Sequence, residues 1–104
     1  MKYKVTHGLP DRDRVRTVVD KAYEAYKERL AKYDPSISWK GKDRAVISFA
    51  IMGKKLDANV EIDERELRLE GNVPFLFRPF EGKILGVVGG EVEKWIEKAK
   101  KGEI

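Results

Sequence analysis

The chain has 104 residues, of which 22 are basic and 18 acidic, for a net charge of +4; 41% are hydrophobic and none is cysteine. This length suits one domain, residues 1–104, and the missing thiols exclude disulfides, thiolate nucleophiles and thiolate metal sites. No stretch approaches the ~20 apolar residues of a membrane span, and Met1 to Thr6 lack a signal peptide's apolar core, so a cytoplasmic protein is expected.

Tyr3, Val5 and His7 alternate with polar residues and predict a short first strand, which Gly8-Leu9-Pro10-Asp11 breaks. Pro10, Asp11 and Asp13 are good residues for a helix start. Val15, Val18, Val19, Ala22, Tyr26, Leu30 and Tyr33 then recur at spacings of three and four. They predict a helix of about six turns that ends at Asp34-Pro35, with Glu28 and Lys32 as a favourable pair on its outer face.

Four strands follow by period-two alternation. Their inward sets are Ile37 and Trp39; Ala45, Ile47, Phe49 and Ile51; Leu56, Ala58, Val60 and Ile62; and Leu67 and Leu69. The last alternation continues through Gly71, Val73, Phe75 and Phe77 if the strand is unbroken, with Pro74 marking an edge or bulge. The turns at Gly41-Lys42-Asp43, Gly53-Lys54 and Asp63-Glu64 are short, which implies an antiparallel meander. Whether the first strand pairs with the second or with the last stays open.

Pro79 starts the final helix, whose inner stripe is Ile84, Val88, Val92, Ile96 and Ala99, widened by Leu85 and Trp95. Glycines at 82, 86, 89 and 90 imply close backbone approach to the sheet or a partner helix, or a break near Gly89-Gly90. The expected fold is therefore α+β: two layers in the order β-α-β-β-β-β-α, an antiparallel sheet covered on one face by two helices.

The polar residues give no catalytic constellation. His7 is the sole histidine and sits on the apolar side of its strand, where a hydrogen-bonded structural role is expected. No serine lies in a nucleophile elbow. Asp57, Glu61 and Glu70 fall together on the open sheet face, where carboxylates usually mark a solvated surface. No metal site and no cofactor are expected, and the protein is read as a non-enzyme. Acids and bases alternate, as in Asp11-Arg12-Asp13-Arg14, so a nucleic-acid surface is not expected.

The densest aromatic stretch is Val73-Pro-Phe-Leu-Phe-Arg-Pro-Phe-Glu-Gly82. Either its phenylalanines cap the core where strand becomes helix, or Leu76 and its neighbours form an exposed apolar contact beside Arg78. The candidate binding residues are Phe75, Leu76, Phe77, Arg78 and Phe80, with Leu76-Phe77-Phe80 as the expected exposed patch.

The chain resembles the polyhydroxyalkanoic acid system proteins along nearly its whole length. The resemblance is carried by His7-Gly8-Leu9, by Ser38-Trp39-Lys40-Gly41, by the strand ending in Phe49, and by Gly53 with Asp57-Ala-Asn-Val-Glu-Ile62. Above all it is carried by Phe75-Leu-Phe-Arg-Pro-Phe-Glu-Gly-Lys-Ile84. These are turn, core and junction residues. Phe77 and the glycines at 86, 89 and 90 depart from the family pattern. The family comprises small bacterial proteins often encoded near polyester-granule genes, so the resemblance implies a granule-associated accessory protein whose partners are the granule surface or granule proteins. Two other readings stand beside it. One is a carrier of a small apolar molecule in a cavity between sheet and last helix, by analogy with helix-grip lipid-binding folds. The other is a structural or regulatory homodimer that uses the open sheet face near Val46 and Ala50.

Overall fold

A computed structural model describes residues 1–104. Its elements are β1 (Lys2–Thr6), α1 (Arg12–Arg29), β2 (Ser36–Trp39), β3 (Arg44–Ile51), β4 (Lys54–Ile62), β5 (Glu66–Glu70) and α2 (Arg78–Lys100). Short 3-10 turns at Ala31–Tyr33 and Phe75–Phe77 follow α1 and precede α2. The expected order of strands and helices is the observed one.

The five strands form one antiparallel sheet in the order β1-β5-β4-β3-β2. The first strand therefore pairs with the last, Tyr3 opposite Leu69 and Val5 opposite Leu67. Alternation places Ala45, Ile47, Phe49 and Ile51 on the same face as Leu56, Ala58, Val60 and Ile62, and all eight are buried. Both helices cover this face. Val15, Val18, Val19, Ala22 and Tyr26 of α1 and Ile84, Val88, Val92 and Ile96 of α2 join the strand residues in one core cluster of 24 buried side chains. The opposite face is a ladder of polar and charged residues from Lys2, Lys4, Glu66, Arg68 and Glu61.

Asp11 caps α1 by accepting the Arg14 N–H (2.9 Å). The helix is shorter than the spacing predicts: its 18 residues make about five turns. Leu30 closes it, and Ala31–Tyr33 tightens into the 3-10 turn. Pro35 bars Asp34 from the right-handed helical region, and Asp34 adopts a left-handed conformation instead (φ 46°, ψ 59°). Lys32 consequently leaves the helical surface that would pair it with Glu28, and its ammonium lies over the Tyr33 ring at 5.2 Å.

The helix α2 runs unbroken through Gly89-Gly90. Close approach holds at one glycine alone: a Cβ on Gly89 would lie 2.9 Å from the Tyr3 ring, whereas Cβ atoms on Gly82, Gly86 and Gly90 would meet nothing within 4 Å. The Tyr3 hydroxyl donates to Glu93 (3.0 Å), which fixes the ring across Gly89. Gly86→Ala is therefore expected to raise stability by roughly 0.5–1 kcal/mol, through the smaller loss of backbone entropy. Gly89→Ala, which must displace Tyr3, is expected to lower it by about 1 kcal/mol. Urea unfolding of the two variants beside wild type checks both signs.

Candidate functional site

The stretch from Gly71 to Phe80 carries the chain from the sheet layer to the helix layer. β5 stops at Glu70 because the next residue presses on β4: a Cβ on Gly71 would sit 2.6 Å from the Asp57 carbonyl oxygen. Gly71 instead pairs with Met1, its N–H donating to the Met1 carbonyl at 2.9 Å. The strand predicted to continue through Phe77 is thus a β5 that ends seven residues earlier, followed by an extended link and a 3-10 turn. Pro74 (φ −55°, ψ 147°) leads into that turn, and the Phe77 N–H donates to the Pro74 carbonyl at 2.8 Å.

This change of geometry redistributes the candidate residues. In a strand, Phe75 and Phe77 would share a face; in a 3-10 turn, successive side chains point about 120° apart. Phe77 is turned into the core and is 4% exposed. Phe80 is half-buried, its ring edge-on to Tyr33 with centroids 6.1 Å apart. Phe75 and Leu76 stand outside at 81% and 76% exposure. Arg78 is exposed beside them, with no carboxylate within 4.0 Å. Of the five candidate residues, two therefore anchor the junction and three face solvent. The exposed apolar pair is Phe75-Leu76, in place of the expected Leu76-Phe77-Phe80 patch.

A third large apolar side chain is exposed at the same end of the sheet. The β3–β4 hairpin closes with the two-residue loop Met52-Gly53, Ile51 pairing with Lys54. Met52 is 78% exposed and held at positive φ (53°). Sequence reading placed a turn here from Gly53, but no pattern marks an exposed methionine. Lys83 also comes to this end, its ammonium over Tyr33 at 5.9 Å, so Lys32 and Lys83 both flank the ring that supports Phe80. That pairing joins residues about 50 apart in sequence and has no local signal.

The groups weighed for chemistry are held in structural pairings. The Leu9 N–H donates to His7 Nδ1 (3.0 Å), so Nε2 carries the ring proton and donates to the Asp63 carbonyl (2.9 Å). His7 is buried and ties the end of β1 to the β4–β5 turn. Asp57 accepts from the Ser48 hydroxyl (2.6 Å), Glu61 meets Arg68 (3.4 Å), and Glu70 meets Lys2 (3.8 Å). The three carboxylates occupy one face, yet each has its own partner.

Between sheet and helices lies an apolar cavity of about 20 Å³ lined by Val19, Tyr26, Val60, Leu69, Val88 and Val92 among others. That is room for about one water molecule. Burial pushes the Tyr26 phenol well above the usual tyrosine range, and its hydroxyl has no hydrogen-bond partner. The Trp95 indole N–H is likewise buried and unpaired.

Asp63 organises the β4–β5 turn. Its carboxylate accepts the N–H groups of Arg65 (2.8 Å) and Glu66 (2.6 Å) and pairs with the Arg68 guanidinium. The Arg68 hydrogen bond, with the two backbone donors behind it, holds the carboxyl well below the usual carboxylate range.

The geometry defines a two-layer α+β domain, its sheet gripped by a long helix, with an apolar tip at one end. The chain belongs to the polyhydroxyalkanoic acid system protein family (PHA_gran_rgn), whose family model matches residues 2–99. No curated protein and no solved structure matches it.

Two stability tests follow from these contacts. Because the folded pKa of Asp63 lies below its unfolded value, its contribution is fully present above the ordinary carboxylate range, begins to fade as pH enters that range, and is lost only as pH falls on through the lower folded value. The difference in urea midpoint between wild type and Asp63→Asn is therefore expected to be greatest near neutral pH and to begin to narrow at about pH 3. Tyr26→Phe removes an unpaired buried hydroxyl and is expected to be neutral or to stabilise by up to about 1 kcal/mol in thermal unfolding. A clear loss of stability would mean that the hydroxyl has a partner in the cavity.

Proposed function

We propose that this chain is a cytoplasmic, non-enzymatic accessory protein of polyhydroxyalkanoate metabolism, and that it attaches to storage granules or their enzymes through the junction at Phe75–Phe80. The carrying observation is the exposure of Phe75 and Leu76, adjacent large apolar side chains at 81% and 76%. Folding alone gives no reason for two such neighbours to stand in water, whereas contact with an apolar surface does. Family membership supplies the setting. No helix is long and apolar enough to cross a membrane, so attachment would be peripheral.

The junction is built to hold this pair rigidly. Phe77 anchors it in the core, Phe80 rests on Tyr33, and the prolines at 74 and 79 restrict the backbone on both sides. The structural pairings of His7, Asp57, Glu61 and Glu70 support the non-enzymatic reading. A ligand pocket ordinarily spans ~300–1,000 Å³, so a cavity of about 20 Å³ gives the carrier reading little support. On the open sheet face, Val46 and Ala50 are half-buried among charged neighbours, which favours a homodimer no more strongly.

The test is sedimentation of the purified protein with native polyester granules, wild type against Phe75→Asp/Leu76→Asp. Both positions are exposed, so the double variant is expected to keep the wild-type unfolding free energy in urea within about 0.5 kcal/mol. Wild type is expected in the granule pellet and the folded variant in the supernatant. Wild type remaining in the supernatant would overturn direct attachment.

A further inference from the structure

We infer that the end of the molecule bearing Met52, Phe75 and Leu76 docks on an anionic phospholipid surface, its cations meeting headgroup phosphates while the three apolar side chains enter the interface. The inference rests on the junction being an attachment surface and adds the chemistry of what it touches.

Three observations carry it. The first is placement. Met52, Phe75 and Leu76 are the only large hydrophobic side chains more than three-quarters exposed, and all lie at one end of the sheet. β3 finishes there and β4 begins there. β5 runs toward the same end but stops opposite Asn59, and the link after it carries the chain on to the 3-10 turn, where Phe80 meets Tyr33. They come from two separate elements, a hairpin tip and a 3-10 turn, and none of them lines any concavity of the molecule. Projecting tips without a groove suit a soft interface that closes around them better than a protein partner that must supply matching pockets.

The second is conformational. Met52 and Gly53 both have positive φ (53° and 79°), the geometry of a type I′ hairpin turn, in which Asn or Gly is strongly favoured at the first position. Methionine there is strained and gains no packing, since it is almost wholly exposed. A residue that disfavours its own turn and stands mostly in solvent is explained by what it meets outside the molecule.

The third is charge. Lys54 follows Met52 by two positions, and Arg78 follows Leu76 by two; neither has a carboxylate within 4.0 Å. Lys32 and Lys83 converge on Tyr33 at 5.2 and 5.9 Å, also without a carboxylate partner. Nearby acids are engaged: Asp57 meets Lys55 (4.0 Å) and Glu81 meets the Met1 amino group (3.4 Å), leaving Asp34 as the unpaired carboxylate beside Tyr33. Cations flanking apolar tips match the layering of a lipid surface, with phosphates outside and acyl chains within.

The experiment is co-sedimentation of the full chain with vesicles of phosphatidylcholine alone and of phosphatidylcholine and phosphatidylglycerol in equal parts. Wild type is expected to bind the mixed vesicles and to be released by salt, with little binding to phosphatidylcholine. Lys32→Gln/Lys83→Gln is expected to weaken binding about 25-fold, at roughly fivefold per cation. Met52→Asn is expected to raise the urea midpoint while weakening vesicle binding several-fold, a combination that loss of folding cannot produce. Equal binding to both vesicle types, binding to neither, or unchanged binding by the lysine variant overturns the inference. If vesicles fail while granules still sediment the protein, the lipid inference falls and granule attachment stands, its contact then being polymer or protein. If granules fail while the mixed vesicles bind, granule attachment falls and lipid docking stands.

Discussion

The structure depends on the one-sidedness of its sheet. Period-two alternation in β3 and β4 sends eight consecutive inward positions to one face, from Ala45 through Ile62, and every one is buried. At roughly 25 cal/mol per Å² of apolar area, a face of this size cannot stay in water, so two amphipathic helices must lie across it. Both helices are obliged to that face. The chain must therefore leave the sheet layer after β1 and again after β5, and each exit is a specialised piece of backbone. At the first exit, His7 and Asp63 tie the end of β1 to the β4–β5 turn. At the second, Gly71 lets the backbone pass against β4 before the 3-10 turn lifts it to α2.

The second exit is where packing and the proposed attachment surface meet. A junction between layers needs inward anchors, and Phe77 and Phe80 are those anchors. In a turn with three residues per revolution, anchoring through Phe77 forces Phe75 and Leu76 outward. Their exposure is therefore rigid, set by the residue that is buried between them and Phe80. The ring of Tyr33, reaching this point because α1 tightens into a 3-10 turn, supports Phe80 and gathers Lys32 and Lys83 around it. Shortening of α1 before Pro35 thus also sets the position of Lys32 beside that ring.

The architecture was legible because it is written in local periodicities. Alternation from Ala45 to Ile62 and the three-four spacing from Val15 to Tyr26 each specify an element and its buried face, and the short turns imply the antiparallel order. Pairing of β1 with β5 was not legible, since it joins Tyr3 to Leu69 across the whole chain. The candidate site was half legible. Aromatic density marked residues 75–80, but strand parity was carried past Glu70, and it assigns faces wrongly once the backbone turns helical. Gly71 beside Pro74 was the available signal that the strand ends, because neither residue sustains a ladder within a sheet. The glycines of α2 misled for the opposite reason. Their spacing suggested a contact stripe, yet three of them face solvent and only Gly89 touches a neighbour.

Two of those exposed glycines and Met52 share a property that distinguishes the two ends of the molecule. Gly82 and Gly86 lie in the first half of α2, and each costs the helix roughly 0.5–1 kcal/mol relative to alanine without returning a contact. Met52 likewise disfavours its hairpin turn. The far end is built the other way: His7, Asp63 and Arg68 are bound into one network, Asp11 caps α1, and Arg14 donates to the Ala99 carbonyl at 2.8 Å to lock the helices together. Local stability should therefore fall from the charged end toward the apolar tip. In the proposed reading this gradient has a use, since contact with a surface offsets the folding cost carried by that end. Residues that weaken folding are then concentrated where an external partner can compensate, and residues that strengthen it are concentrated where none is needed.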